Sequence, residues 1–121
     1  MWPTMSLTKT RMTATNPVAE EEKRRTADAV SRMFEAAVGF AVREGARLLV
    51  LDEVCAAVSC GFLEERAVLA FLDGRPETLE VVMTGRGPSE ALCARADYIT
   101  EMAARRHPFD RGVAAREGIE F

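Results

Sequence analysis

Two neighbouring carboxylates of this chain follow an apolar run, an arrangement that could bind a magnesium ion. Asp52 and Glu53 come directly after the apolar residues 48–51, in the order that is typical of a Walker B element. Mg²⁺ prefers hard oxygen ligands on a rigid support, and the end of a buried strand is such a support. The alternative is that both carboxylates are simply solvated groups after a core strand.

A second polar turn, residues 84–88 with the sequence TGRGP, also follows an apolar run. Its two glycines permit tight backbone turns, and the guanidinium of Arg86 is a planar cation that matches phosphate. If both runs are strands of one parallel sheet, their carboxyl ends meet at one edge, so Arg86 should lie beside Asp52 and Glu53. The alternative is an ordinary strand-to-helix turn with an exposed arginine.

The chain end at 107–120 contains a dense set of polar, aromatic and glycine residues. It begins with HPFDRG, in which Phe109 and Asp110 follow the only histidine. We expect this segment to be an ordered loop that folds over a bound ligand. The alternative is a structural loop whose Phe109 and Ile119 fill the core, and a single histidine does not distinguish the two.

The elements that must position these residues alternate between helices and strands. Asn16-Pro17 is a good helix start, and apolar residues then recur every three or four positions, which predicts a helix over 17–44. The apolar runs at 47–52, 79–84 and 96–102 are predicted strands with shorter helices between them. Consecutive apolar residues are typical of strands covered on both faces, so we predict a parallel α/β sheet with right-handed crossovers.

Size, charge and cysteine content limit the classes of function. The chain has 121 residues, 48% hydrophobic and 29% charged, and we predict one domain at 16–121 after a disordered segment at 1–15. Its net charge of −3 does not favour a nucleic-acid partner, and its apolar runs are too short to predict a membrane span. The three cysteines include no CxxC pair and are predicted to be free thiols in a reducing cytoplasm.

Taken together, the segments LLVLDE, EVVMTGRGP, ADYITEM and RRHPFDRGVAAREGIEF resemble the C-terminal part of the P-loop-type ATP:corrinoid adenosyltransferases. The resemblance covers residues 22–121 and is strongest from Leu48 onward. It implies a three-layer, P-loop NTPase-like α/β fold. It also implies transfer of the 5′-deoxyadenosyl group of ATP to the Co(I) of cobalamin or a cobyrinic acid derivative, as in cobalamin biosynthesis. Cobalt is the nucleophile there, so such a protein mainly binds, orients and excludes water.

The resemblance implies roles for individual residues but no certain catalytic group. Asp52 and Glu53 would hold the Mg²⁺ of Mg-ATP. The other residues implied at the ATP and corrinoid site are Thr84, Arg86, His107, Phe109 and Asp110.

This sequence departs from the family pattern at the phosphate-binding loop. Full-length relatives begin with a strand and a glycine-rich loop ending in Gly-Lys-Thr or Gly-Lys-Ser, whose amides and lysine cradle the triphosphate. No GxxxxGK[ST] segment occurs in the 121 residues, and the only lysines are Lys9 and Lys23. We therefore expect a truncated domain without the first strand and the phosphate loop.

Three functions remain open from the sequence. The chain is an adenosyltransferase that is impaired or depends on a partner, a non-catalytic module that binds a corrinoid or a nucleotide, or an inactive remnant. The missing strand is expected between the strands at 79–84 and 96–102, so both would lack their usual neighbour. We therefore expect a three-stranded sheet that pairs with a second copy as a homodimer.

Overall fold

The computed structural model describes residues 16–119, and a long helix opens this part of the chain. Helix α1 spans Pro17–Arg43, and the helix predicted at 17–44 is therefore confirmed. The side chain of Asn16 accepts a hydrogen bond from the Val18 amide at 3.1 Å, which satisfies one of the amides left unpaired at the start of a helix. The disorder predicted at 1–15 lies outside the described residues.

Short helices and strands follow α1. The strands are β1, Leu48–Leu51, and β2, Glu80–Met83. The helices are α2, Val54–Ser59, α3, Glu65–Gly74, and α4, Glu90–Ala94, and a 3₁₀ turn spans Pro108–Arg111. Within residues 16–119, no helix combines the length and the apolar content that crossing a membrane requires.

The two strands pair in parallel, with Leu48 opposite Glu80 and Leu51 opposite Met83. Helices α2 and α3 lie between them in the chain and form the crossover. The protein is therefore a mixed α/β structure, and parallel pairing of the first two predicted strands is confirmed. Because parallel strands run in the same direction, the residues that follow Leu51 and Met83 leave the sheet at one edge.

The prediction of a third strand at 96–102 is wrong. These residues form no strand, and both Tyr98 and Met102 are 93% exposed. The prediction relied on apolar and β-branched residues, but strand formation depends on a hydrogen-bonded neighbour and on apolar cover, and this segment has neither. The predicted three-stranded sheet has two strands in the part of the chain that the structure describes.

The helices pack on one face of the sheet. The buried cluster combines Phe34 of α1 and Leu92 of α4 with residues of α2 and α3, and alternate strand residues, among them Leu51 and Val81, point into it. Successive side chains of a strand point to opposite faces, so the intervening residues face the other way.

The opposite face of the sheet is apolar and exposed. Leu48, Val50 and Val82 are 58%, 54% and 45% exposed, respectively. The prediction that these strands are covered on both faces is therefore wrong for residues 16–119. Their apolar character nevertheless remains typical of a parallel sheet whose two faces are both buried.

Met33 and Phe34 are neighbours in α1 but differ in burial, although both belong to the apolar residues whose spacing predicted this helix. Phe34 is 8% exposed and meets the ring of Phe71 edge to face at 6.1 Å between centroids, whereas Met33 is 71% exposed. We expect Phe34→Ala to lower the free energy of unfolding by about 3–5 kcal/mol and Met33→Ala by about 0.5 kcal/mol or less. Urea denaturation followed by circular dichroism measures both. Equal losses would mean that α1 is rotated and does not bury Phe34 in preference to Met33.

Candidate functional site

The hydroxyl of Thr84 joins the ends of the two strands. Its Oγ1 donates a hydrogen bond to Oδ1 of Asp52 at 2.8 Å and accepts one from the amide of Glu53 at 2.9 Å. The backbone adds two contacts, from the Thr84 amide to the Leu51 carbonyl and from the Cys55 amide to the Thr84 carbonyl, both at 3.2 Å. The structure therefore brings Asp52, Glu53 and Thr84 together at one edge of the sheet.

Glu53 has a backbone conformation that residues other than glycine rarely adopt. Its φ of 58° and ψ of 21° lie in the left-handed region, and it is the only residue other than glycine with a positive φ in the described part of the chain. This conformation costs about 1 kcal/mol and persists where the surroundings impose it. Here the Thr84 hydroxyl holds the Glu53 amide, and the Ala57 amide donates to the Glu53 carbonyl at 3.1 Å.

The turn after β2 packs against the start of α2. Gly85 has a φ of 140°, and a Cβ at this position would lie 2.6 Å from the Cβ of Cys55 and 3.1 Å from the Ala56 amide nitrogen. Only glycine allows this approach. The next residue, Arg86, is exposed, and it forms no ion pair with any of residues 16–119. Arg86 follows two residues that are held at the edge where Asp52 lies.

Asp52 and Glu53 are the carboxylates that could hold a metal at this edge. Asp52 and Glu53 are both exposed, and one oxygen of Asp52 already accepts the Thr84 hydrogen bond. Residues 16–119 contain no group of three or more His, Cys, Asp or Glu side chains that could hold a metal. Mg²⁺ is commonly bound through one or two carboxylates together with water and substrate phosphate, so two carboxylates fit it.

The predicted loop residues at the chain end lie in an exposed turn. Nδ1 of His107 accepts a hydrogen bond from the Phe109 amide at 3.1 Å, and the His107 carbonyl accepts one from the Asp110 amide at 3.0 Å. Phe109 and Ile119 are 73% and 69% exposed, so neither fills the core. The structure does not bury His107, Phe109 or Asp110 against the strand ends.

Two links between α3 and α4 were not predicted from the sequence. The Ser89 hydroxyl donates to the Glu65 carboxylate and accepts from the Leu92 amide at 3.2 Å. At the other end of α4, Arg95 donates to both oxygens of Asp73 at 2.8 and 3.0 Å, and this hydrogen bonding lowers the pKa of the Asp73 carboxyl. Serine before a helix is a recognisable cap signal, but its carboxylate partner is distant in sequence.

The thiol closest to the site is protected. Cys55 is buried at the start of α2, and burial, followed by the proximity of Cys93, raises the pKa of its thiol. The thiol therefore stays protonated at neutral pH, and a thiol is a poor nucleophile and metal ligand. None of the three cysteines, Cys55, Cys60 and Cys93, forms a disulfide. The side chain of Cys55 packs against the Gly85 turn.

Comparisons with known proteins identify a family. Residues 3–121 match the family model described as ATP:corrinoid adenosyltransferase BtuR/CobO/CobP. A corrinoid adenosyltransferase of Pseudomonas aeruginosa is 43% identical over 74 residues, which cover 61% of this chain and 36% of that protein. Corrinoid adenosyltransferase CobA of Salmonella typhimurium is 35% identical over 74 residues, which cover 61% of this chain and 38% of that protein. The match thus spans little more than a third of the length of these relatives.

The contact between Gly85 and α2 predicts different responses from the two glycines of the turn. Gly85→Ala should lower the free energy of unfolding by about 3 kcal/mol, because the added methyl group overlaps Cys55 and the backbone is strained. Gly87→Ala should cost about 1 kcal/mol, because its φ is 60° but open space surrounds it. Denaturant titration compares the two. Similar losses would show that the turn does not pack on α2.

Proposed function

This chain belongs to the ATP:corrinoid adenosyltransferase family BtuR/CobO/CobP, and from that membership we propose that its strand-end site binds Mg-ATP for adenosyl transfer to a corrinoid. In the proposed reaction the Co(I) electron pair forms a bond to C5′ of ATP. The C5′–O bond breaks, and its electrons leave with triphosphate. The observation that carries the proposal is the Thr84 hydroxyl, which holds Asp52 and the Glu53 amide beside the turn that contains Arg86.

We assign the magnesium ion to Asp52 and Glu53. The oxygen of Asp52 that does not accept the Thr84 hydrogen bond and the carboxylate of Glu53 would be its protein ligands. Bound Mg²⁺ would neutralise charge on the phosphates. The guanidinium of Arg86, exposed at the same edge, would contact a phosphate oxygen, which suits its planar set of donors.

We assign the cover of the site to the exposed chain end. His107, Phe109 and Asp110 lie in a turn that is not buried against the core, so this segment is free to pack on a substrate. The broad apolar surface of a corrinoid suits an aromatic ring such as that of Phe109, which is 73% exposed. In this role the segment would exclude water from cobalt and the C5′ carbon.

A non-catalytic binding function is the second candidate, and a specific observation favours it. The 121 residues contain no GxxxxGK[ST] segment, so the backbone amides and the lysine that cradle a triphosphate are not provided by them. Each such donor stabilises a transition state by several kcal/mol. We therefore propose that these residues by themselves bind Mg-ATP or a corrinoid and transfer the adenosyl group poorly or only with a partner.

We further propose that the two parallel strands are part of a P-loop NTPase-like sheet. We also propose that the protein works in the reducing cytoplasm. The parallel crossover through helices and the carboxylates at the strand end support this architecture. The three free thiols support this location.

The function can be tested through Glu53. Calorimetry should detect binding of Mg-ATP to the unaltered chain, and Glu53→Ala and Glu53→Gly should each weaken it about tenfold or more, because a metal ligand is lost. The glycine variant should be about 1 kcal/mol more stable than the alanine variant, because glycine tolerates the left-handed backbone. The exposed Glu77→Ala is the control and should bind normally.

The outcome separates the candidate functions. With Mg-ATP and reduced corrinoid, we expect little adenosylated product from this chain, whereas turnover approaching about 1 per second would contradict the impaired role. If cob(II)alamin or Mg-ATP binds without turnover, the binding function is supported. If both Glu53 variants bind Mg-ATP as the unaltered chain does, the proposed magnesium site at Asp52 and Glu53 is wrong.

The exposed apolar sheet face supports a further proposal, that two copies of the chain form a homodimer. Leu48, Val50 and Val82 form an apolar surface that a second copy could cover, and the unpaired strand edges could also pair. Val50→Lys should weaken dimerisation about tenfold or more in sedimentation experiments, because it places a charge in the interface. Ala36→Lys, on the exposed side of α1, is the matched control. A monomeric wild-type chain at micromolar concentration would contradict the homodimer.

A further inference from the structure

The turn that carries Arg86 is fixed at both ends, although Arg86 itself is exposed. At its start, Thr84 is held by Asp52 and the Glu53 amide, and Gly85 packs against Cys55. At its end, Ser89 begins α4, where its hydroxyl accepts a hydrogen bond from the Leu92 amide. The position of the turn therefore depends on how firmly Ser89 is held.

Glu65 supplies that hold from a neighbouring helix. It is the first residue of α3, it is half-buried, and its carboxylate accepts the hydroxyl hydrogen of Ser89. With its hydrogen directed to Glu65, the Ser89 oxygen presents a lone pair to the Leu92 amide. The carboxylate thus orients the cap, and a hydrogen bond to a charged acceptor is stronger than one between neutral groups.

We propose that Glu65 is a positioning residue that sets the location of Arg86 through Ser89. This inference rests on the proposed function, in which Arg86 contacts a phosphate of Mg-ATP. The turn spans only a few residues between two anchored points, so releasing Ser89 would let its arginine sample several positions. Binding would then have to order the turn, and affinity would fall.

The second link between α3 and α4 provides a matched comparison. Arg95 and Asp73 join the far ends of the same two helices, whereas Glu65 and Ser89 join the ends beside the turn. Loss of either link loosens the packing of α4 on α3. Only loss of the Glu65 link should change the turn, because Ser89 and not Arg95 borders it.

The test uses the full chain with Glu65→Ala, Glu65→Gln and Asp73→Ala, each alone and together with Arg86→Ala. Calorimetry with Mg-ATP should show about tenfold weaker binding for Glu65→Ala, and this effect should disappear when Arg86 is also alanine. Glu65→Gln should retain most of the affinity, because its amide oxygen still accepts from Ser89. Asp73→Ala should bind within about twofold of the unaltered chain. If Glu65→Ala does not fold, Ser89→Ala tests the same link.

Hydrogen exchange of the free protein gives a readout that does not depend on nucleotide. Protection of the Leu92 amide should fall about tenfold in Glu65→Ala and stay unchanged in Asp73→Ala. Unchanged protection in Glu65→Ala would overturn the proposal, as would equal losses of Mg-ATP affinity in the two variants. If the unaltered chain binds no Mg-ATP, the proposed function fails, and the exchange comparison alone then decides whether Glu65 holds the turn.

Discussion

The arrangement of the strand ends depends on one side chain, the hydroxyl of Thr84. It uses its hydrogen for Asp52 and a lone pair for the Glu53 amide, so one group both orients a carboxylate and stabilises a left-handed backbone. Without this hydroxyl the Glu53 amide would lose its partner, and a lost hydrogen bond costs about 1 kcal/mol, similar to the strain that it offsets. The fold therefore keeps an unfavourable backbone at the position where it presents an acidic residue.

The rest of the described protein consists of packed helices and strands, followed by an exposed segment at 96–119. The turn after β2 packs against Cys55 at the start of α2, and Glu65 of α3 holds Ser89 at the start of α4. The segment 96–119 follows these anchored elements and is exposed throughout. In the proposed function, this edge would bind the ligand through fixed groups, and the exposed chain end would then move to cover it.

The sequence predicted the first helix, the first two strands and their parallel pairing, but it did not predict which side chains join the helices. The limits of α1 and the parallel pairing of β1 and β2 followed from caps and apolar runs, and the shared edge of Asp52 and Thr84 followed from the parallel direction. The prediction of a strand at 96–102 is wrong because it relied on apolar composition, whereas a strand also needs a hydrogen-bonded neighbour, and residues 16–119 provide none beside this segment. The contact between Glu65 and Ser89 could not be predicted, because it depends on how two helices pack.

Charge balance at the strand ends explains why magnesium is central to the proposed function. Asp52 and Glu53 carry two negative charges beside the single positive charge of Arg86, so this edge by itself repels a polyphosphate. A divalent cation reverses the sign of the local field and is itself attracted by the two carboxylates. In the proposed function, Arg86 would then contact a phosphate that the cation has brought close. With no Gly-Lys-Thr or Gly-Lys-Ser segment in these residues, the proposed function would draw its nucleotide affinity at this edge mainly from the cation, and it predicts that nucleotide without metal does not bind.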